Sequence, residues 1–375
     1  MKKKIYIYIL IAILLFSSCS KKDNNANSTY ENIKLPNALM TEQNIAYSED
    51  GLYLLSDFGD LYYMEKDDDK FVFLNYLNYK DDKPIKMGEE GDIKNYSEYP
   101  FGNIIHYLDG NLYYLAEYRN VENVVNFNLY KLDKTGGNRE KILTIKHEPY
   151  NFLFSNNHFI SIELDKDNNS IVHIYDKDEN EKIITFDKWL SSIYALDDSF
   201  IVIGDEYVDG VYMETLYRIY FDGTYEEIDK ANGNFIFADK DKYILSEFID
   251  NNDMDTISYI KDYDGNILTE NKEINISYLD DKYYYGESKN MPMEYFRYTY
   301  DNELDSKISP YQKLGQIGEA VMIDQMDYDL IYRIVYGNTL TMQYDRGKGE
   351  RIYILGNFDT GEFTVINNSN VYDED

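Results

Sequence analysis

Three features predict an all-β fold for this chain: a β-propeller of four-stranded antiparallel blades, seven by count, with six or eight also compatible. Short runs rich in Tyr, Phe and Ile fill the chain from residue 42 onward, and Tyr alone occurs 41 times in 375 residues. Clusters of Asp, Asn, Gly and Lys separate these runs. Two kinds of run alternate, and from the second copy onward copies of one kind begin 38 to 56 residues apart. Aromatic and β-branched residues fit a pleated surface. Runs of four to eight bounded by turn residues read as strands. No long stretch places apolar residues at the i, i+3, i+4, i+7 spacing of a helix.

The first element is not part of the repeat. The chain opens "MKKK", continues with the apolar run "IYIYILIAILLF" (5–16), and then reads Ser17-Ser18-Cys19. A charged start, a short apolar core and small residues describe a secretory signal peptide. The run is too short to span a bilayer, which takes about 20 apolar residues. Phe16-Ser17-Ser18-Cys19 resembles the end of bacterial lipoprotein signal peptides, with Phe where Leu is usual. That resemblance implies cleavage after residue 18 and a diacylglyceryl group on Cys19, the only cysteine. Residues 19–41 begin polar and poor in apolar side chains, and such composition cannot order itself by burial. They are expected to be a tether, with residues 42–375 forming the propeller on the extracytoplasmic face of a bacterial membrane.

The first repeating element is a strand, an Asp-rich turn and a second strand. It reads "LYYMEKDDDKFVFL" at 61, "LYKLDKTGGNREKIL" at 129, "VHIYDKDENEKII" at 172, "LYRIYFDGTYEEI" at 216 and "SYIKDYDGNIL" at 258. Weaker copies start at Phe296 and Ile352. The second element is a polar turn leading into a strand, as in "EDGLYLLSD" at 49, "LDGNLYYLAEY" at 108 and "LDDSFIVIG" at 196. Two hairpins per repeat make a four-stranded blade, and a lone blade cannot cover both its faces, so blades must stack around a ring. Residues 75–103 and 305–330 fit the pattern poorly. The first is expected to be a long loop bordering the binding face, the second a loop or short helix. The tandem "DGxLYYL" and "LYxxDxxG" units resemble lipoprotein β-propeller domains of Gram-positive anaerobes. Those are distantly similar to low-density-lipoprotein-receptor-related and Tol-system propellers. The resemblance implies fold and location and carries no site residues with it.

Composition narrows the function. With 69 acidic against 37 basic residues the net charge is −32, which excludes a nucleic-acid partner needing a basic surface. A lipidated Cys19 would leave no thiol for a disulfide. The four histidines, His106, His147, His158 and His173, show no close ligand spacing, so no zinc site is expected. No Gly-x-Ser-x-Gly elbow marks a hydrolase, and Ser155 and Ser246 have no distinguishing context. The runs from Asp165, Asp176 and Asp250 alternate oxygen ligands as calcium loops do. They lack the glycine and glutamate of a helix-loop-helix site and read more simply as turns. No cofactor is expected, calcium being the one ion these runs leave open. Tyr113-Tyr114, Tyr283-Tyr284-Tyr285 and Trp189 are expected to pack between blades. The reading is therefore a monomeric, non-catalytic, surface-anchored module for a protein, peptide or glycan. The alternative is an extracellular hydrolase or lyase acting on glycan or peptide through channel carboxylates.

Overall fold

A computed structural model describes residues 45–367 apart from 49, 57–58, 66–70, 87–96, 103, 120–124, 156–157, 250–251, 292, 310–328, 337–338 and 346–350. Cys19, the tether and Asp250 lie outside the described residues. The described residues form seven antiparallel sheets, each built from consecutive strands. Blade 1 holds β1 (Ile45–Tyr47), β2 (Gly51–Leu55), β3 (Asp60–Glu65) and β4 (Val72–Tyr76). Blade 2 holds β5 (Tyr79–Lys80), β6 (Lys83–Pro84), β7 (Glu98–Pro100), β8 (His106–Leu108), β9 (Asn111–Arg119), β10 (Val125–Asp133) and β11 (Glu140–Ile145). Blade 3 holds β12 (Asn151–Ser155), β13 (His158–Leu164), β14 (Ser170–Tyr175) and β15 (Glu181–Phe186). Blade 4 holds β16 (Trp189–Ala195), β17 (Ser199–Val208), β18 (Val211–Tyr220) and β19 (Tyr225–Ala231). Blade 5 holds β20 (Gly233–Ala238), β21 (Lys242–Ile249), β22 (Asn252–Asp262) and β23 (Ile267–Asn271). Blade 6 holds β24 (Ile274–Leu279), β25 (Tyr283–Ser288), β26 (Tyr295–Thr299) and β27 (Leu304–Ile308). Blade 7 holds β28 (Asp329–Tyr336), β29 (Thr339–Asp345), β30 (Arg351–Asn357) and β31 (Phe363–Asn367).

Burial orders the strands within a blade. In blade 3 the first strand is buried throughout while the fourth is mostly exposed. The first strand is therefore innermost and the fourth outermost. Four apolar clusters fill the seams between blades. One joins blades 1 and 2, one blades 2 and 3, and one blades 3 and 4. The fourth runs through blades 4 to 7 and includes Leu52, Leu54 and Met64 of blade 1. Among the described residues the ring thus closes by side-chain packing between its last and first blades, and each of those two sheets is built from its own four consecutive strands.

The Asp-rich runs are turns. In five residues from Asp262, the Oδ1 atom accepts from the backbone N–H of Asp264 at 3.0 Å and of Asn266 at 2.8 Å. Asp165 and Asp176 do the same with the residues two and four further on. The fourth residue of each such turn sits in the left-handed region: Gly265 at φ 83°, Asn168 at 63°, Glu179 at 62°. That is the conformation glycine adopts at no steric cost.

One expectation is corrected. The described parts of 75–103 are not an open loop but strands β5–β7, which extend the sheet of blade 2 in the order β11-β10-β9-β7-β5-β6, with β8 also on β9. Asp81 and Asp82, at φ 49° and 61°, close the β5–β6 hairpin. Two positive φ values define the turn whose twist suits a two-residue hairpin. Between 305 and 330, β27 runs to Ile308, and 310–328 lie outside the described residues.

Candidate functional site on one face of the ring

Six blades are up-and-down meanders and β8–β11 of blade 2 follow the same course, so the first strand of each begins at the same end as its 2–3 hairpin. We call this end the upper face. The lower face carries the 1–2 and 3–4 turns, which include the tight Asp turns at 133–137, 176–180, 220–224, 262–266 and 299–303. The connections between blades, with the β5–β7 insertion among them, fall on the upper face.

Large apolar side chains left exposed divide into two groups. Val72, Phe73, Ile183, Tyr225, Ile267, Leu268 and Leu304 lie on outermost strands. The others, Tyr150, Trp189, Tyr207, Val208, Ile249 and Met291, lie where first strands begin or at 2–3 hairpins. Tyr207 is 77% exposed and packs edge-on to Tyr212 at 5.6 Å. Trp189 is 42% exposed and meets Tyr150 edge-on at 5.6 Å. This corrects the expectation that Trp189 is a packing residue, because it opens β16 at the rim rather than lying inside a strand. Tyr114, Tyr284 and Tyr285 do pack between blades, fully buried.

A polar pocket of about 590 Å³ is lined by Tyr79, Asp82, Glu98, Tyr118, Asn126, Asn128, Tyr130, Arg139, Lys141 and Thr144, with Tyr118 and Asn126 beside the 2–3 hairpin of blade 2 at its upper end. Its floor is the face of blade 2 turned toward blade 1. Alternation along β10 puts Asn126, Asn128 and Tyr130 on this face, opposite Tyr118, Ala116 and Tyr114 of β9. Ala116 is small, so Glu98 on β7 can reach across it. Glu98 Oε1 accepts from Asn128 Nδ2 at 2.8 Å and from the Tyr130 hydroxyl at 2.5 Å. Thr144 in turn donates to Asn128 Oδ1 at 2.7 Å.

Arg139 completes the floor. Its Nη2 donates to Glu98 Oε2 at 2.6 Å and its Nε to the Tyr114 hydroxyl at 2.8 Å. Its guanidinium lies between two rings, 3.7 Å from the centre of Tyr79 and 3.4 Å from that of Tyr130. Arginine stacks on aromatic faces in this way where lysine cannot. Burial opposes the guanidinium's charge but is outweighed by the Tyr114, Glu98 and Tyr130 oxygens, so its pKa moves up. Burial first, and the bond to Glu98 second, hold the Tyr130 phenol protonated well above its ordinary range. Glu98 is therefore engaged on both oxygens, while Tyr118, Asn126, Lys141 and Asp82 are the pocket's remaining polar and aromatic wall.

The histidines divide. His106 is buried on β8, edge-on to Phe152 at 6.3 Å, and burial pushes it down to about 4. His158 stacks on Phe221 at 3.9 Å. His147 and His173, far apart in sequence, stack at 3.9 Å. Burial, then the neighbouring His173, pushes His147 down to about 4. His173 Nδ1 lies 2.7 Å from Glu181 Oε1 and its Nε2 lies 3.1 Å from Glu163 Oε1. Ligand atoms of His147, Glu163 and His173 all lie within 4.8 Å of one another. Spacing along the chain gave no sign of this group, because β13 and β14 and the connection before β12 bring it together.

Blade 4 holds a carboxylate pair. Asp205 and Glu214 face each other across β17 and β18. Glu214 accepts from the Tyr212 hydroxyl at 2.7 Å and from the Phe235 N–H at 2.6 Å. Burial raises both carboxyls, Glu214 to about 7.

The sheets and seams define the chain as a β-propeller protein. No family model matches the sequence, and no curated protein matches it. Solved structures do resemble it. The β-propeller domain of the trilobed protease from Pyrococcus furiosus is 11% identical with a TM-score of 0.49, over 88% of this chain and 97% of that one. An uncharacterized protein from Listeria monocytogenes is 11% identical with a TM-score of 0.47, over 68% of this chain and 78% of that one. TolB from Acinetobacter baumannii is 10% identical with a TM-score of 0.34, over 65% of each chain. The likeness concerns fold.

Proposed function

We propose that this propeller is a non-catalytic binding module, held on the extracytoplasmic side of a bacterial membrane by lipid on Cys19, that takes a protein, peptide or glycan on its upper face. The observation that carries the reading is the company kept there. Exposed Tyr150, Trp189 and Tyr207 stand on the same face as a pocket whose free wall is polar and aromatic. Aromatic side chains with a polar handle serve as anchors in recognition sites. Loops on a rigid scaffold are the usual carriers of binding.

Trp189 is the only tryptophan, so its fluorescence reports the upper face alone. Peptide and glycan arrays probed with the full-length protein in detergent should give a ligand class that shifts Trp189 emission and loses retention in Tyr150→Ala/Tyr207→Ala. Retention that this double substitution leaves intact would contradict the reading. The anchor has its own test: Cys19→Ser should abolish labelling by a radioactive fatty acid and release the protein from membranes.

A hydrolase or lyase reading has one observation on its side, the raised Asp205–Glu214 pair. Both Glu214 oxygens are occupied by protein donors at the seam of blades 4 and 5, which is the arrangement of a packed structural acid. Turnover of an array ligand that Glu214→Gln abolishes would reverse this preference.

A further inference from the structure

We propose that His147, Glu163 and His173 bind one divalent transition-metal ion of the zinc class at the seam of blades 2 and 3. His173 is the best-oriented of the three. Its Nδ1 faces Glu181 Oε1 at 2.7 Å, and Glu181 is itself held by the Tyr175 hydroxyl at 2.6 Å. A metal-binding imidazole characteristically donates its second N–H to a carboxylate, which fixes ring and tautomer. With the proton on Nδ1, the Nε2 lone pair points at Glu163 Oε1, 3.1 Å away. Two lone pairs facing each other at that separation repel, and an ion shared with His147, whose ligand atom also lies within 4.8 Å, relieves them. Ligands bound at about 2.0–2.1 Å and 3.1 Å apart subtend roughly 100° at an ion, close to tetrahedral.

His147 is the third ligand. It lies half-buried in the connection between β11 and β12, with Nε2 2.8 Å from Ser161 Oγ. In the stack the two rings are within 20° of parallel, so one ring must turn for both to reach a shared ion in their planes. His147 is outside any strand and can do so, whereas His173 is fixed in β14 between Glu163 and Glu181. Two imidazoles and a carboxylate suit zinc and its neighbours, while calcium and magnesium prefer all-oxygen sets. Three protein ligands leave a fourth tetrahedral position for water or for a donor group of whatever binds the upper face.

The test uses untagged full-length protein in detergent, stripped with a chelator and titrated with Zn²⁺ by calorimetry. One equivalent should bind and raise the melting temperature, and Co²⁺ in its place should give the visible absorption of a tetrahedral site. Glu181→Gln should weaken binding about 10–100-fold, the effect of losing an orienting partner, and His147→Ala at least as much. His158→Ala should change nothing. His147 is half-buried and outside a strand, so its variant should keep the wild-type circular dichroism even where His173→Gln disturbs the blade. Absence of uptake by the stripped protein would overturn the proposal. So would uptake that His147→Ala and Glu163→Gln both leave unchanged. Neither result depends on a ligand for the upper face, so failure here is distinct from failure of the binding-module reading.

Discussion

Arg139 shows what one residue can hold. It neutralises Glu98, donates to Tyr114 and is clamped by two rings, all within a wall that is nearly closed to water. Removing one partner of a buried pair leaves the other charge uncompensated and costs about 3 kcal/mol. Arg139→Ala should therefore destabilise the fold by that amount, read as a lower urea midpoint with little change in slope. Arg139→Lys should recover only part, because lysine has no planar fork to lie between Tyr79 and Tyr130. Glu214 acts in the opposite sense. Burial raises its carboxyl to about 7 from an ordinary 4.5, so the folded chain binds a proton that the unfolded chain has released. Between those two values stability falls as pH rises. The contribution is present in full below 4.5 and lost as pH passes through about 7. Glu214→Gln should flatten this stretch of the stability profile, measured as the difference between variant and wild type in urea at each pH. An unchanged slope would mean that Glu214 is ionised in the fold.

At the scale of elements, the Asp turns were the most legible feature of the sequence. Their spacing named the hairpins, and the structure shows why: the first carboxylate caps backbone N–H groups two and four residues on, as at Asp165 and Asp262. What sequence could not give was the β5–β6 hairpin, because Asp81-Asp82 carries no glycine to announce two positive φ values. It could not give the pairing of His147 with His173 either, since that follows from where β14 lies against an inter-blade connection. The left-handed position in these turns supplies a prediction. Glu179 occupies it at φ 62° and Gly223 at φ 87°. A left-handed non-glycine residue costs roughly 1–2 kcal/mol, partly offset by the chain freedom glycine loses on folding. Glu179→Gly should stabilise the fold by about 1 kcal/mol and Gly223→Ala should destabilise it by a similar amount. Thermal melts of the two variants would show shifts of opposite sign.

At the scale of the whole molecule, the repeat count led directly to seven sheets, because a four-stranded unit with two apolar faces has no other way to shield both. The site was less legible. Which aromatic residues face the rim depends on where each strand begins relative to its hairpin, so Trp189 read as a packing residue until its strand start was placed. Among the described residues, side chains carry the ring closure, so its seam should be sensitive. Leu340, buried in the cluster that includes Leu52 and Met64 of blade 1, should cost about 2–5 kcal/mol when cut to alanine. The central claim is that recognition belongs to the upper face. The most direct measurement compares array ligand retention by wild type, by Tyr150→Ala/Tyr207→Ala on that face, and by Lys177→Ala in a lower-face turn. Retention should be lost in the double variant and kept in Lys177→Ala. Retention lost only in Lys177→Ala, with Trp189 emission unmoved by ligand, would contradict it.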